Sequence, residues 1–130
     1  MRDSLVKFPR RASQWTDFSN LEYGTVTPTD IDGLIEWHDR GYVFFELKYR
    51  NKYVPARQRL ALERLVRDTW RSGKKSIAIV AEHDVEDTRK PVFVADCYVR
   101  EIYYGREMEW RPPDRFITCK EAVDEFMRGV

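Results

Sequence analysis

Three side chains in the first half of this chain, Asp32, Glu46 and Lys48, form a chemically coherent set. Two carboxylates can share a hard divalent cation through oxygen ligands. Such a cation lowers the pKa of bound water and screens charge developing at a phosphorus centre. An ammonium beside it can position the water or stabilise the transition state. These are the requirements of phosphodiester hydrolysis. The set is useful only if one surface carries all three, so the elements that hold them decide the matter.

Glu46-Leu47-Lys48 lies in an apolar run from Tyr42 to Tyr49 that reads as a strand. Its alternation puts Val43, Phe45, Leu47 and Tyr49 on one face and Tyr42, Phe44, Glu46 and Lys48 on the other. The flanking Val43-Phe44-Phe45 indicates a central, buried strand, where a charge needs a partner or a function. An exposed ion pair, by contrast, would be worth little. A preceding strand is expected over Asp30 to Trp37, with Asp30, Asp32, Leu34 and Glu36 sharing a face. Asp39-Arg40-Gly41 between the strands suits a three-residue loop whose last position favours glycine. That loop closes on His38 and Tyr42, placing Asp32 opposite Lys48 and Leu34 opposite Glu46. Asp32 and Glu46 are then diagonal neighbours on one face, roughly 7–8 Å apart. Asp30 points to the same face and competes with Asp32; Asp32 is favoured because it lies deeper in the strand. Glu36 reads as a surface residue near the hairpin tip.

A helix is expected from Pro55 to Arg71, burying Leu62, Leu65, Val66, Thr69 and Trp70, with Gln58 and Ala61 extending the stripe. Ser72-Gly73 ends it. The run Ile77 to Ala81, apolar on both faces, reads as a buried parallel strand within Ser76 to Glu82. Polar residues His83 to Lys90 read as a loop. One or two strands follow over Pro91 to Tyr104, then a turn at Gly105 and a short segment Met108 to Trp110. Thr118-Cys119-Lys120-Glu121 is a capping box opening a last helix to Met127. Ser13 to Tyr23 is a further helix candidate. The fold class expected is α/β over a single domain, residues 1–130. It has a mixed β-sheet, an antiparallel hairpin followed by a βαβ crossover, and flanking helices.

The stretch Thr29 to Glu36, the hairpin, and Phe44-Phe45-Glu46-Leu47-Lys48 resemble the core motif of the PD-(D/E)xK nuclease superfamily. The resemblance covers about residues 20 to 82 and is nearest to small members of the Holliday-junction resolvase or VRR-NUC kind. It implies a restriction-endonuclease-like core. It also implies magnesium or manganese held by Asp32, Glu46 and the backbone carbonyl of Leu47, with Lys48 as the catalytic lysine. Gln58 matches a glutamine that such proteins place in the following helix, where it orients the site. Family members often add an acid from the first helix, for which Glu22 is nearest, and Asp30 is a further outer-ligand candidate. The sequence departs from the pattern in one respect: its proline is Pro28, not the residue before the aspartate.

Charge is strongly segregated. Residues 16–47 hold seven acids and one base; residues 48–75 hold ten bases and two acids. The basic segment offers Tyr49, Arg50, Lys52, Tyr53, Arg57 and Arg59 for phosphate contacts and base stacking. Nucleic acid, DNA in the first instance, is the expected partner. Structure-selective cleavage is expected, because one small domain has little room to read sequence; recombination, repair and mobile-element or phage DNA processing are the settings that fit. A homodimer fits the need to cut two strands. The alternative is a catalytically silent nuclease-fold module that binds nucleic acid or protein.

The remaining residues exclude other classes. A composition 42% hydrophobic and 14% aromatic predicts a folded chain. No apolar run approaches the ~20 residues of a membrane span. Met1 to Arg11 has no hydrophobic stretch, and Cys97 and Cys119 stand alone, so a cytoplasmic protein with reduced, inert thiols is expected. His38 and His83 have no ligand spacing with either cysteine, which argues against zinc.

Overall fold

The structure, a computed structural model, describes residues 17–130. Five strands form one mixed sheet: β1 (Gly33–Trp37), β2 (Gly41–Tyr49), β3 (Lys75–His83), β4 (Tyr98–Tyr104) and β5 (Glu109–Arg111), in spatial order β1-β2-β3-β4-β5. β2 and β3 are parallel and every other pair is antiparallel. The connection between the parallel pair is α1 (Ala56–Arg71), as a crossover requires. A short 3₁₀ turn (Val94–Asp96) precedes β4, and α2 (Cys119–Met127) closes the chain. Among the described residues no helix is long and apolar enough to cross a membrane.

Each face of the sheet carries one helix. Leu62 and Val66 of α1 bury against Phe44, Ala78 and Tyr103. On the other face, Val43, Phe45, Ile77, Ile79 and Ala81 pack with Val99, Ile102, Cys119 and Ala122. This explains the uninterrupted apolar run in β3, which is covered on both sides. Pro55 stands at the N-cap of α1, and its missing N–H costs nothing there. Thr118 and Glu121 complete both halves of the expected capping box at α2.

Two boundaries differ from the expectations. The first strand begins at Gly33, so Asp30 to Asp32 precede it, although the Asp32 N–H still donates to the Phe45 carbonyl at 3.2 Å. Pro91 to Tyr104 contains one strand, within the expectation of one or two. The helix expected from Ser13 lies partly outside the described residues; its remainder is turn structure, in which Asp17 accepts the Ser19 N–H at 2.8 Å.

The hairpin register also requires correction. Trp37 pairs with Gly41 and Leu34 with Phe44, so the pairing is shifted by two places from the expected one. The turn is made by His38 and Asp39, with φ of 46° and 60°, closed by Arg40 N–H donating to the Trp37 carbonyl at 2.7 Å. Two successive left-handed residues give the type I′ sense that matches strand twist. Asp39 N–H donates to Glu36 Oε2 at 2.6 Å and the Asp39 carboxylate pairs with Lys74 at 2.9 Å, which holds the tip. Gly41 is therefore not the turn glycine. It begins β2, where a Cβ would meet Val130 at 3.3 Å and the Lys75 carbonyl at 3.4 Å. The shift is even, so face parity survives. Continuing the ladder by one pair puts Asp32 level with Glu46, and Lys48 no longer faces Asp32.

Gly105 marks a tighter approach. A Cβ there would lie 2.9 Å from the Ser76 carbonyl oxygen and 2.9 Å from Trp70 Cε3. The oxygen belongs to β3 and cannot yield. Gly105→Ala is expected to lower unfolding free energy by about 1–3 kcal/mol, the usual cost of overpacking. Urea unfolding midpoints of the variant and the parent measure it.

Candidate active site

The site is assembled on the α1 face of β2. Glu46 is only 3% exposed, since β1 and β3 flank it and the helix lies above. Period-two geometry puts Lys48 on the same face, and its Nζ lies 3.1 Å from Glu46 Oε1. The same ammonium donates to Gln58 Oε1 at 3.4 Å, at the long end of hydrogen-bonding range. Gln58 is in the first turn of α1, so the helix start sets the distance of its amide from the strand. Asp32 approaches from the hairpin's outer arm, where its Oδ2 accepts the Leu47 N–H at 2.7 Å. This charge-assisted bond fixes the carboxyl over the backbone of β2.

The electrostatics follow from burial. Desolvation pushes the Glu46 carboxyl above its ordinary pKa of 4.5. The hydrogen bond and charge of Lys48 oppose that rise, while the negative charge of Asp32 and side-chain hydrogen bonding with it add to it. Two carboxylates, Glu46 buried and Asp32 exposed, together with one ammonium leave a surplus negative charge at the edge of the core. A divalent cation relieves this strain, and oxygen donors are the ligands magnesium and manganese prefer. Asp32 and Glu46 are the two side chains here that could hold such an ion.

The structure does not bring every expected residue to this point. Asp30 and Glu22 are exposed and form no hydrogen bond or ion pair with the set among the described residues. No three His, Cys, Asp or Glu side chains gather among the described residues in a way that could hold a metal ion. The basic segment is partly spent on internal pairs. Arg50 pairs with Glu86 and lies 4.9 Å above the Tyr49 ring. Arg59 pairs with Glu101 and stacks 4.6 Å from Trp110. The Arg59 contact is one of charge, because Glu101 Oε1 accepts no directed hydrogen bond. Arg57 donates to the Thr25 carbonyl, a neutral acceptor, and forms no ion pair among the described residues. Lys52 and Tyr53 point outward, Tyr53 with 80% of its surface exposed. Tyr49 leans on His83, ring centroids 5.7 Å apart.

Two residues beside the site gave no signal in the sequence. Glu82 stands level with Lys48 in the parallel register, and Arg100 pairs with Glu82, Nε to Oε1 at 3.1 Å. A lone arginine between Val99 and Glu101 carries no motif; only the pairing of β3 with β4 reveals it. Elsewhere, burial pushes the Cys119 thiol up to about 12, with Cys97 beside it adding to the shift, so it is not a nucleophile. No family model matches the chain, and no curated protein or solved structure matches it.

The raised Glu46 pKa fixes the sign of a pH effect. Between 4.5 and the raised value the folded chain holds a proton that the unfolded chain has released. Stability is therefore full below 4.5 and falls as pH rises through the folded pKa. In metal-free buffer, the urea midpoint is expected to drop over this window for the parent and to stay flatter for Glu46→Gln. Equal slopes for the two proteins would remove the electrostatic account of the site.

Proposed function

We propose that this protein is a magnesium-dependent nuclease of the PD-(D/E)xK kind, built on a restriction-endonuclease-like core and acting on DNA. The observation that carries the reading is the approach of Asp32, Glu46, Lys48 and Gln58 on one face, from two strands and a helix start. Binding alone has no need of a buried carboxylate, Glu46, with an exposed acid and a lysine held beside it. The order hairpin, parallel strand and crossover helix supports the same core.

Each residue has a role that its surroundings support. Asp32 and Glu46 hold the cation, with the Leu47 backbone carbonyl as a further oxygen donor. The bound cation supplies a water of lowered pKa and offsets charge on the phosphate. Lys48 keeps an ammonium at the reacting centre, to orient water or to stabilise charge on the oxygens of the pentacoordinate phosphorus. Gln58 holds that ammonium through a neutral acceptor. Lys52, Tyr53 and Arg57 offer cations and an aromatic face to a phosphate backbone and its bases. Selectivity rests on DNA structure, and a dimer supplies a second site for the second strand.

A competing reading, a nuclease-fold module that binds without cutting, draws its support from one fact: no third acid joins Asp32 and Glu46 among the described residues. Metal linkage separates the two. For the nuclease, magnesium at about 100 times its dissociation constant should add about 2.7 kcal/mol of stability. Asp32→Ala should abolish that gain. Lys48→Ala should leave metal-linked stabilisation in place and lower cleavage of branched or plasmid DNA roughly 10²–10³-fold, the scale of losing one charge-stabilising group. Absence of cleavage on every DNA and RNA form, together with no metal-linked stabilisation, would overturn the reading.

A further inference from the structure

Arg100 sits where the ladder between β3 and β4 slips. Val80 pairs with Glu101 and Ala81 with Val99, so Arg100 is the extra residue of a β-bulge. A bulge redirects a side chain that regular pairing would send elsewhere. Here the guanidinium reaches three acceptors outside its own strand. Nε donates to Glu82 at 3.1 Å, Nη1 to the Lys52 carbonyl at 2.7 Å and Nη2 to the Arg50 carbonyl at 2.8 Å. The side chain is only 23% exposed. Arg50 and Lys52 belong to the link between β2 and α1, which joins Lys48 to Gln58.

That link has few other restraints. Arg50 N–H donates to the His83 carbonyl at 2.7 Å, and Lys52 N–H reaches the Tyr49 carbonyl at 3.3 Å. Val54 buries its side chain, whereas Tyr53 is bare. Arg50 also holds a left-handed φ of 51°, which a non-glycine residue adopts at a cost. A planar fork of five N–H donors can bind two carbonyls and a carboxylate at once; a single ammonium cannot span them.

We propose that Arg100 is a positioning residue, pinning the β2–α1 link in the shape that presents Lys52 and Tyr53 to a nucleic-acid strand beside Lys48. It touches neither substrate nor cation and acts through the two carbonyls. The nucleic-acid part rests on the nuclease reading above; the pinning does not.

The test uses the full chain with Arg100→Ala, Arg100→Lys and, as a control, Glu82→Gln. Hydrogen exchange reports the pinning directly. The amides of Arg50 and Lys52, which donate to the His83 and Tyr49 carbonyls, are expected to lose protection by roughly tenfold or more in both Arg100 variants, the scale of a lost charge-assisted bond. Protection in α1 and β3 is expected to hold. Glu82→Gln keeps both carbonyl bonds and should leave the link protected. On an oligonucleotide substrate, KM is expected to rise about tenfold while kcat changes less than about threefold, since the loss is in binding. Millimolar guanidinium chloride should restore part of the KM for Arg100→Ala; ionic strength is matched with sodium chloride. Unchanged exchange at Arg50 and Lys52 overturns the proposal, as does a loss confined to kcat. Should Arg100→Ala fail to fold, Arg100→Lys carries the same readings. If the parent neither binds nor cuts nucleic acid, the nuclease reading and the presentation of Lys52 and Tyr53 fall together, while exchange still decides whether Arg100 pins the link.

Discussion

Glu46 is almost wholly removed from water, with a strand on either side and a helix overhead. An ionised carboxyl in that position loses its hydration and must recover the energy from fixed partners or take up a proton. The surrounding structure answers the first demand only in part. Lys48 supplies one positive charge at 3.1 Å, but Asp32 adds a second negative one. Asp32 in turn is held by the Leu47 N–H, so it cannot swing away to relieve the repulsion without giving up that bond. The fold thus keeps two acids close against their mutual repulsion. A purely structural core avoids such frustration at one point of an otherwise apolar surrounding.

The order of elements was legible because periodicity carried it. Alternation in β1 and β2, a run apolar on both faces in β3 and a helical stripe in α1 each has one simple structural solution. The hairpin register was not legible to the same degree. Glycine is the usual signature of positive φ, and Gly41 drew the loop one residue too far along. The left-handed positions fell to His38 and Asp39 instead, held by Glu36 and Lys74. Gly41 is small for a different reason, the closeness of Val130 and Lys75. Because side chains alternate with a period of two, the resulting slip of two places left Asp32 on the face of Glu46. The grouping of the acids survived the error, and their distance and pairing did not.

What escaped the sequence was everything that depends on long-range pairing. Arg50 and Arg59 looked like free cations in a basic run, yet each finds an acid far downstream, Glu86 and Glu101. Those partners sit in the loop after β3 and on β4, and no local pattern links them to β2 or α1. Arg100 and Glu82 escaped for the same reason. A bulge is a property of two strands together, so a single strand's alternation cannot announce it. Asp30 and Glu22 illustrate the converse. Their type suited the chemistry, but an exposed, weakly paired stretch before β1 does not carry them to the site.

The choice of Gln58 over a charged residue follows from the charge already present. Glu46, Asp32 and Lys48 leave one surplus negative charge. An acid in place of Gln58 would make a third carboxylate and hold Lys48 more tightly, at the cost of further repulsion with Glu46. A base there would repel Lys48 from the site and compete for Glu46. A neutral amide oxygen at 3.4 Å restrains the ammonium weakly and alters the net charge not at all. Lys48 is therefore held between one strong and one weak acceptor. If a cation takes a share of Glu46, the ammonium retains a partner in Gln58 and stays on this face of the sheet. The helix start is the right place for that amide, because Pro55 and the buried Val54 fix where α1 begins, and Arg100 fixes the link leading to it.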